Sequence, residues 1–122
     1  NLLQESRTAF LMARVREQNA AAITARETLE LATRGGAKVL GRDDIGHLAP
    51  GMSADLIAFN IDTPAFVGSH HDVVAALVFC QPPSVDYSFI NGKVAIDQGK
   101  LVTVNLENLI HTCNQLSIAL MD

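Results

Sequence analysis

Apolar residues recur along this chain with two different periods, and the change falls at Leu48-Ala49-Pro50-Gly51-Met52-Ser53-Ala54-Asp55. Ahead of it, Leu2, Leu3, Ala9, Phe10 and Ala13 gather on one side of a 3.6-residue repeat, with Glu5, Arg7, Arg14 and Glu17 mostly elsewhere. That spacing predicts a helix to about Gln18. Asn19-Ala20-Ala21-Ala22 is too short to carry a pattern. Thr24 followed three residues on by Glu27 is a capping box, so a second helix starts there and carries Leu29, Leu31 and Ala32. Gly35-Gly36 can supply the left-handed conformation that ends a helix. A short helical turn over Ala37-Lys38-Val39-Leu40 is stopped by Gly41, and Arg42-Asp43-Asp44-Ile45-Gly46-His47 reads as a polar loop.

Pro50 presets φ at the first central position of a turn and Gly51 accepts φ > 0 at the second, which predicts a type II turn over Ala49 to Met52. Ala54 to Asn60, dominated by Leu56, Ile57 and Phe59, then reads as a strand delivered into a core. Asp62-Thr63-Pro64 breaks it, because Pro64 offers no amide to a ladder. A loop to about Asp72 precedes Val73 to Cys80, an apolar run of strand or short-helix type whose second half the flanking Asp72 and Pro82-Pro83 favour as extended and buried. Asn91-Gly92 is the clearest local signal, a two-residue type I′ hairpin turn. It pairs Ile90 with Lys93, Phe89 with Val94 and Tyr87 with Ile96, leaving Asp86, Ser88 and Ala95 on a more polar face. A second turn at Asp97-Gln98-Gly99-Lys100 leads to a short strand over Leu101 to Val104. Asn105 then caps a helix whose Leu106, Leu109, Ile110, Cys113, Leu116 and Leu120 form an apolar stripe that needs a surface to cover.

With 122 residues the chain has room for one domain, and with aromatics at 5% and no Trp its core is built from aliphatic side chains. The net charge of −4 comes without a Lys/Arg cluster, which argues against nucleic acid and anionic membranes as partners. The longest apolar run, Val73 to Cys80, is far short of the roughly 20 residues of a spanning helix. No signal-peptide core opens the chain, so a soluble, cytoplasmic protein is expected. Cys80 and Cys113 lack CxxC spacing and read as buried, reduced thiols. Asn1 stands directly before Leu2 and Leu3 without an initiator Met, which reads as a cut through a longer protein.

Candidate chemistry is sparse. None of the four histidines falls in HxH, HxxxH or HExxH spacing. His70-His71-Asp72 is the only cluster; neighbouring side chains of extended backbone diverge, so loop histidines, one held by a structural hydrogen bond, outweigh a metal site. His47 and His111 read as surface or packing residues. Asp43-Asp44 reads as a turn and cap pair rather than an acid and base. Asp55 either caps amides of the preceding turn or meets a remote cation. Ser53, Ser84 and Ser88 lack a nucleophile context, and Gly35-Gly36 lacks a phosphate-loop context. No catalytic, substrate-binding or metal-ligating residue is assigned.

The run from Thr24 to Gly41, followed by Ile45 to Ile57 and by Phe89-Ile90-Asn91-Gly92-Lys93-Val94, resembles the C-terminal segment of amidohydrolase-superfamily enzymes. Within that superfamily it is similar to the cytosine deaminase and triazine hydrolase group, with 8-oxoguanine deaminase as the closest branch. The resemblance implies an α+β segment: residues 1–47 as the last helices of a (β/α)8 barrel, 48–104 as the C-terminal part of a small antiparallel β-sandwich, and 105–122 as a C-terminal helix. It implies a parent hydrolase that deaminates purine, pyrimidine or triazine rings, using a divalent zinc or iron that makes hydroxide from bound water. The superfamily's HxH pair, further metal histidines and eighth-strand aspartate are missing here, so no catalytic residue is carried over. Asn1 to Leu3 would border the active-site mouth. The implied partners are the rest of the barrel, the N-terminal sandwich strands, a small heterocyclic substrate and further copies of the chain. The alternative is a non-catalytic, self-associating α+β interaction module. On either reading, the strand at Ala54 to Asn60 and the Asn91-Gly92 hairpin should leave sheet edges or faces the chain cannot complete alone.

Overall fold

A computed structural model describes residues 1–80, 82 and 84–121. The elements run α1 (Leu2–Arg16), α2 (Ala25–Glu30), a π-turn (Leu31–Gly35), α3 (Gly36–Val39), β1 (Leu56–Ala58), a 3-10 turn (Pro64–Phe66), α4 (Val73–Phe79), β2 (Tyr87–Ile90), β3 (Lys93–Asp97), β4 (Lys100–Leu101) and α5 (Leu106–Ala119). The fold is α+β with a small antiparallel sheet. The helices α1, α2 and α4 pack on one another, and the strands form a meander in the order β1-β2-β3-β4.

Local chemistry sets the helix ends. Asn1 accepts the Leu3 amide and so caps α1. Gln18 ends that helix at φ 48°, the Gln18 amide bonding Val15 and the Asn19 amide bonding Arg14 in a Schellman motif. The expected capping box is present: Glu27 donates its amide to Thr24 Oγ1 at 3.2 Å, and Thr24 donates its amide to the Glu27 carboxylate at 2.8 Å. Thr24 also donates its hydroxyl to that carboxylate at 2.8 Å, and the two bonds it gives the carboxylate, the amide's first, hold the Glu27 carboxyl below its ordinary range. Gly35-Gly36 does not end the helix. Both residues are right-handed, near φ −60°, and the helix passes through them by a π-turn into α3. The stop is Gly41 at φ 65°, where the Gly41 and Arg42 amides close a second Schellman motif on Lys38 and Ala37.

The core lies among the helices. Phe10, 1% exposed, meets Phe79 edge to face with ring centroids 4.9 Å apart, and Thr28, Ala37, Phe66, Ala76 and Val78 are buried with it. Arg14 lies over the Phe10 ring at 3.8 Å and donates from Nε and Nη2 to the Ile23 carbonyl at 3.3 and 3.0 Å. One guanidinium thereby seals the ring and fixes the turn between α1 and α2.

Three expectations about elements are corrected. Val73 to Cys80 is helical through Phe79, because Asp72 accepts the Val74 and Ala75 amides at 3.2 and 3.0 Å and nucleates α4. Pro83, invoked for an extended ending, lies outside the described residues. The strand after the Pro50-Gly51 turn is only Leu56–Ala58, and Ile57 is 53% exposed rather than delivered into a core. The strand expected over Leu101 to Val104 shrinks to β4, with Val102 to Val104 in bends.

The hairpin forms as expected, with Asn91 and Gly92 at φ 49° and 74° and with Ile90 opposite Lys93 and Phe89 opposite Val94. Beyond Phe89 the register shifts. A bulge places Ser88, not Tyr87, opposite Ile96 and leaves Ala95 without a position in that ladder. Ser88 consequently turns inward and is buried, whereas Tyr87 is partly exposed. Each strand finds a neighbour within the chain, and the open meander leaves β1 and β4 with one edge each that no described strand pairs, in keeping with the expected open edges or faces. The faces are open too: Ile57, Ile90, Val94 and Leu101 are exposed, as is every residue of α5. Cys80 is half-buried and Cys113 exposed, so neither thiol is the buried one expected. Among the described residues no helix is long and apolar enough to cross a membrane.

Candidate functional site

Residues 42–60 connect the helical layer to the sheet. Arg42 grips Asp44 with two bonds, Nε to Oδ1 at 2.8 Å and Nη2 to Oδ2 at 2.6 Å. Ser53 donates its hydroxyl to the same carboxylate at 2.9 Å and its amide to the Asp44 carbonyl at 2.7 Å. With Arg42 as the larger cause and Ser53 next, the Asp44 carboxyl is pulled down to about 2 from 3.8. The cluster closes the loop around the Pro50-Gly51 turn, where Gly51 stands at φ 86° and the Met52 amide meets the Ala49 carbonyl at 3.2 Å. Asp44 is therefore a loop clamp held by side chains, where the sequence reading expected a turn and cap pair; Asp43 is exposed.

Gly46 docks this loop onto the helix. A Cβ there would lie 2.9 Å from Ala37 Cβ and 3.1 Å from both Arg34 Cα and the Thr33 carbonyl, and φ is +94°. The approach falls on the π-turn, where one extra residue per turn widens the helix. Beside it His47 lines a shallow cleft of about 530 Å³ with Thr33, Asp55, Leu56, Ser88 and Phe89.

Among the described residues the Asp55 carboxylate neither caps amides of the preceding turn nor forms an ion pair, although its charge acts on Arg42. Its Oδ1 accepts the Asn91 amide at 2.6 Å, and the neighbouring Ala54 carbonyl accepts the Gly92 amide at 3.1 Å, so residues 54–55 hold the hairpin tip. At the other end of β1, Asp86 accepts the Asn60 amide at 2.6 Å through Oδ2 and donates its own amide to Ala58 at 3.0 Å. Two aspartates thus fasten the two ends of a three-residue strand. Asp55 was open in the sequence and Asp86 unseen, because both pair with amides remote along the chain.

His70, His71 and Asp72 do not converge. His70 donates from Nε2 to the Ile61 carbonyl at 3.0 Å, which fixes its tautomer and matches the structural hydrogen bond expected of one of the pair. His71 is exposed, and the Asp72 carboxylate is committed to the α4 cap, where the Ala75 amide is the main cause of its lowered pKa. Ser53 serves the Asp44 clamp, Ser84 is exposed, Ser88 is buried in the sheet, and His111 stands exposed on α5. Asn1, Leu2 and Leu3 line a smaller cleft of about 210 Å³ with Ile57, Phe59, Pro82, Ser84 and Val85. Its lining is apolar apart from the Asn1 carboxamide and the Ser84 hydroxyl.

A metal centre of the kind the amidohydrolase resemblance implies does not fit the residues present. Among the described residues no three His, Cys, Asp or Glu side chains stand where they could share an ion. The carboxylates of Asp44, Asp55, Asp72 and Asp86 already accept hydrogen bonds from this chain. What remains is a loop and strand assembly that joins helices to a sheet.

Comparison with known proteins defines that assembly. Residues 1–102 match the amidohydrolase family, and the chain belongs to it. It is 40% identical over 110 residues to an 8-oxoguanine deaminase of Pseudomonas aeruginosa, covering 90% of this chain and 24% of that protein. It is 34% identical over 123 residues to a 5-methylthioadenosine/S-adenosylhomocysteine deaminase of Pelotomaculum thermopropionicum, covering all of this chain and 28% of the relative. The crystal structure of atrazine chlorohydrolase TrzN from Arthrobacter aurescens complexed with zinc superposes with a TM-score of 0.84 at 32% identity, over 93% of this chain and 26% of that one. The chain therefore spans about a quarter of the length of the relatives it matches.

Proposed function

We propose that the chain is the C-terminal segment of a cytoplasmic, metal-dependent amidohydrolase that hydrolyses C–N bonds of aminated purine, pyrimidine or triazine rings, and that its role is structural. Residues 1–47 are the last helices of the (β/α)8 barrel, 48–104 the C-terminal part of the β-sandwich, and 105–122 a C-terminal helix. The carrying observation is family membership over residues 1–102 combined with a span of about a quarter of relatives named as deaminases. The geometry is consistent with this division: Arg42, Asp44, Ser53 and Asp55 fix a helix-to-sheet connection, while Asp43 and His47 stand exposed. No catalytic residue is assigned here, and the groups that would hold zinc or iron belong to the barrel portion of the polypeptide. In this reading Asn1 to Leu3 rim the substrate cleft and contribute shape.

The test is ammonia release by the polypeptide that carries this segment together with a barrel, offered 8-oxoguanine, 5-methylthioadenosine, S-adenosylhomocysteine, adenosine and an aminated triazine. Release from at least one ring, abolished when residues 1–122 are deleted, is the expected result. A metal-loaded polypeptide that releases ammonia from none of them overturns the reading.

A further inference from the structure

The tip of the β2–β3 hairpin brings together the groups of a backbone self-modification. Of the seven asparagines, Asn91 alone precedes a glycine; the others precede Leu, Ala, Ile or Gln. Gly92 has no Cβ to shield its backbone nitrogen, so that nitrogen is the least hindered neighbour any asparagine carboxamide of this chain has. Asn91 and Gly92 are both exposed, which gives water and base access to them.

In the closed hairpin the same nitrogen is not free to react. Gly92 donates its amide to the Ala54 carbonyl at 3.1 Å, and Asn91 donates its own to Asp55 Oδ1 at 2.6 Å. These bonds hold the tip at φ 49° and 74°, the left-handed geometry of a two-residue turn. The first keeps the proton on the Gly92 nitrogen. The second opposes the backbone rotation that would turn that nitrogen towards the Asn91 side chain, and, accepted by a carboxylate, it is the stronger of the two.

We propose that Asn91 is a deamidation site gated by the tie from residues 54–55: the closed tip blocks the reaction and opening of the tip starts it. In the open tip the Gly92 nitrogen loses its proton to solvent base and attacks Asn91 Cγ. A C–N bond forms, the carboxamide nitrogen leaves as ammonia with a proton from water, and a succinimide joins the two residues. Water then cleaves one of the imide C–N bonds. Cleavage at Cγ leaves aspartate and cleavage at the main-chain carbonyl leaves isoaspartate, so one water is consumed for each ammonia released and nothing is oxidised or reduced.

Isoaspartate destroys the tip that produced it. The main chain then runs through Cβ, which inserts a methylene into a turn whose two-residue length sets Ile90 opposite Lys93. A carboxylate also replaces a neutral carboxamide close to Asp55, and like charges repel there. The modification is therefore a one-way switch that leaves the hairpin open. It uses only this chain's own groups and stands whether or not the deaminase reading holds.

Peptide mapping of the polypeptide that carries this segment together with a barrel, aged in mildly alkaline buffer, tests the proposal. Mass reads the exchange of NH for O at residue 91, and isoaspartyl methyltransferase labelling reads the isoaspartate. In denaturant Asn91 should convert ahead of every other asparagine, and in the folded protein at least about tenfold more slowly, through local opening. Asp55→Ala should speed conversion in the folded protein by roughly tenfold or more, and Asp55→Asn, which keeps an oxygen acceptor without the charge, by a smaller factor. The isoaspartyl protein should lose hydrogen-exchange protection over residues 93–97 while α1 stays protected. Should Asp55→Ala fail to unfold cooperatively, the Asp55→Asn rate decides alone. Equal rates in folded and denatured wild type, folded Asp55 variants that convert at the wild-type rate, or a hairpin still protected in the isoaspartyl protein overturns the proposal.

Discussion

Asp44 gives the chain a pH signature at the scale of one residue. Its carboxyl titrates near 2 when folded, against 3.8 ordinarily, because Arg42 and Ser53 favour the charged form. A depressed folded value stabilises the fold above the ordinary pKa, and that contribution disappears as pH falls from about 4 through 2. Urea midpoints measured from pH 6 to pH 2 should therefore fall more steeply for the wild type than for Asp44→Asn; parallel curves would contradict the clamp. Glycines separate as sharply. Gly46→Ala meets backbone and Ala37 at φ +94° and should cost about 1–3 kcal/mol. Gly36→Ala finds nothing within 4 Å at helical φ and should stabilise by about 0.4–1 kcal/mol. Denaturant titration of the two variants reads the opposite signs, and a shared sign would refute the assignment of Gly46 as the docking glycine.

Among the elements, those whose signals are local were legible in the sequence. The Thr24 capping box, the Asn105 cap, the Pro50-Gly51 turn and the Asn91-Gly92 hairpin each follow from side chains within three or four residues of one another. One misread element carries a local signal that its composition outweighs: Val73–Phe79 has the β-branched, apolar composition of a strand, and the adjacent Asp72 carboxylate on two amides tips it to helix. The others depend on something farther away or unmarked. The bulge beyond Phe89 carries no glycine to announce it. The π-turn at Leu31–Gly35 stands where a loop eleven or more residues downstream docks through Gly46. β1 is the extreme case, three residues held at both ends by Asp55 and Asp86. Replacing either aspartate by alanine should strip hydrogen-exchange protection from residues 56–58 while leaving the α1 core protected. Unchanged exchange in β1 would show that the ladder with β2 suffices.

The whole molecule has its best-packed part among α1, α2 and α4, and its sheet and last helix present apolar faces to solvent. That distribution is what a segment completed by other polypeptide or by another copy requires. Histidine and carboxylate spacing carries no metal-ligand pattern in the sequence, and in the structure Asp44, Asp55, Asp72 and Asp86 serve as clamps, caps and strand-end ties. Sequence could not say which partners those carboxylates hold, because Asp55 and Asp86 find amides 36 and 26 residues away. The central claim is that this chain is the scaffold quarter of a metal-dependent amidohydrolase whose ion is held elsewhere in the polypeptide. Elemental analysis of dialysed protein tests it most directly, comparing the 122-residue chain with the polypeptide that adds the barrel. The account predicts stoichiometric zinc or iron in the longer polypeptide and only trace metal in the chain; stoichiometric metal retained by the chain, or none in the longer polypeptide, would contradict it.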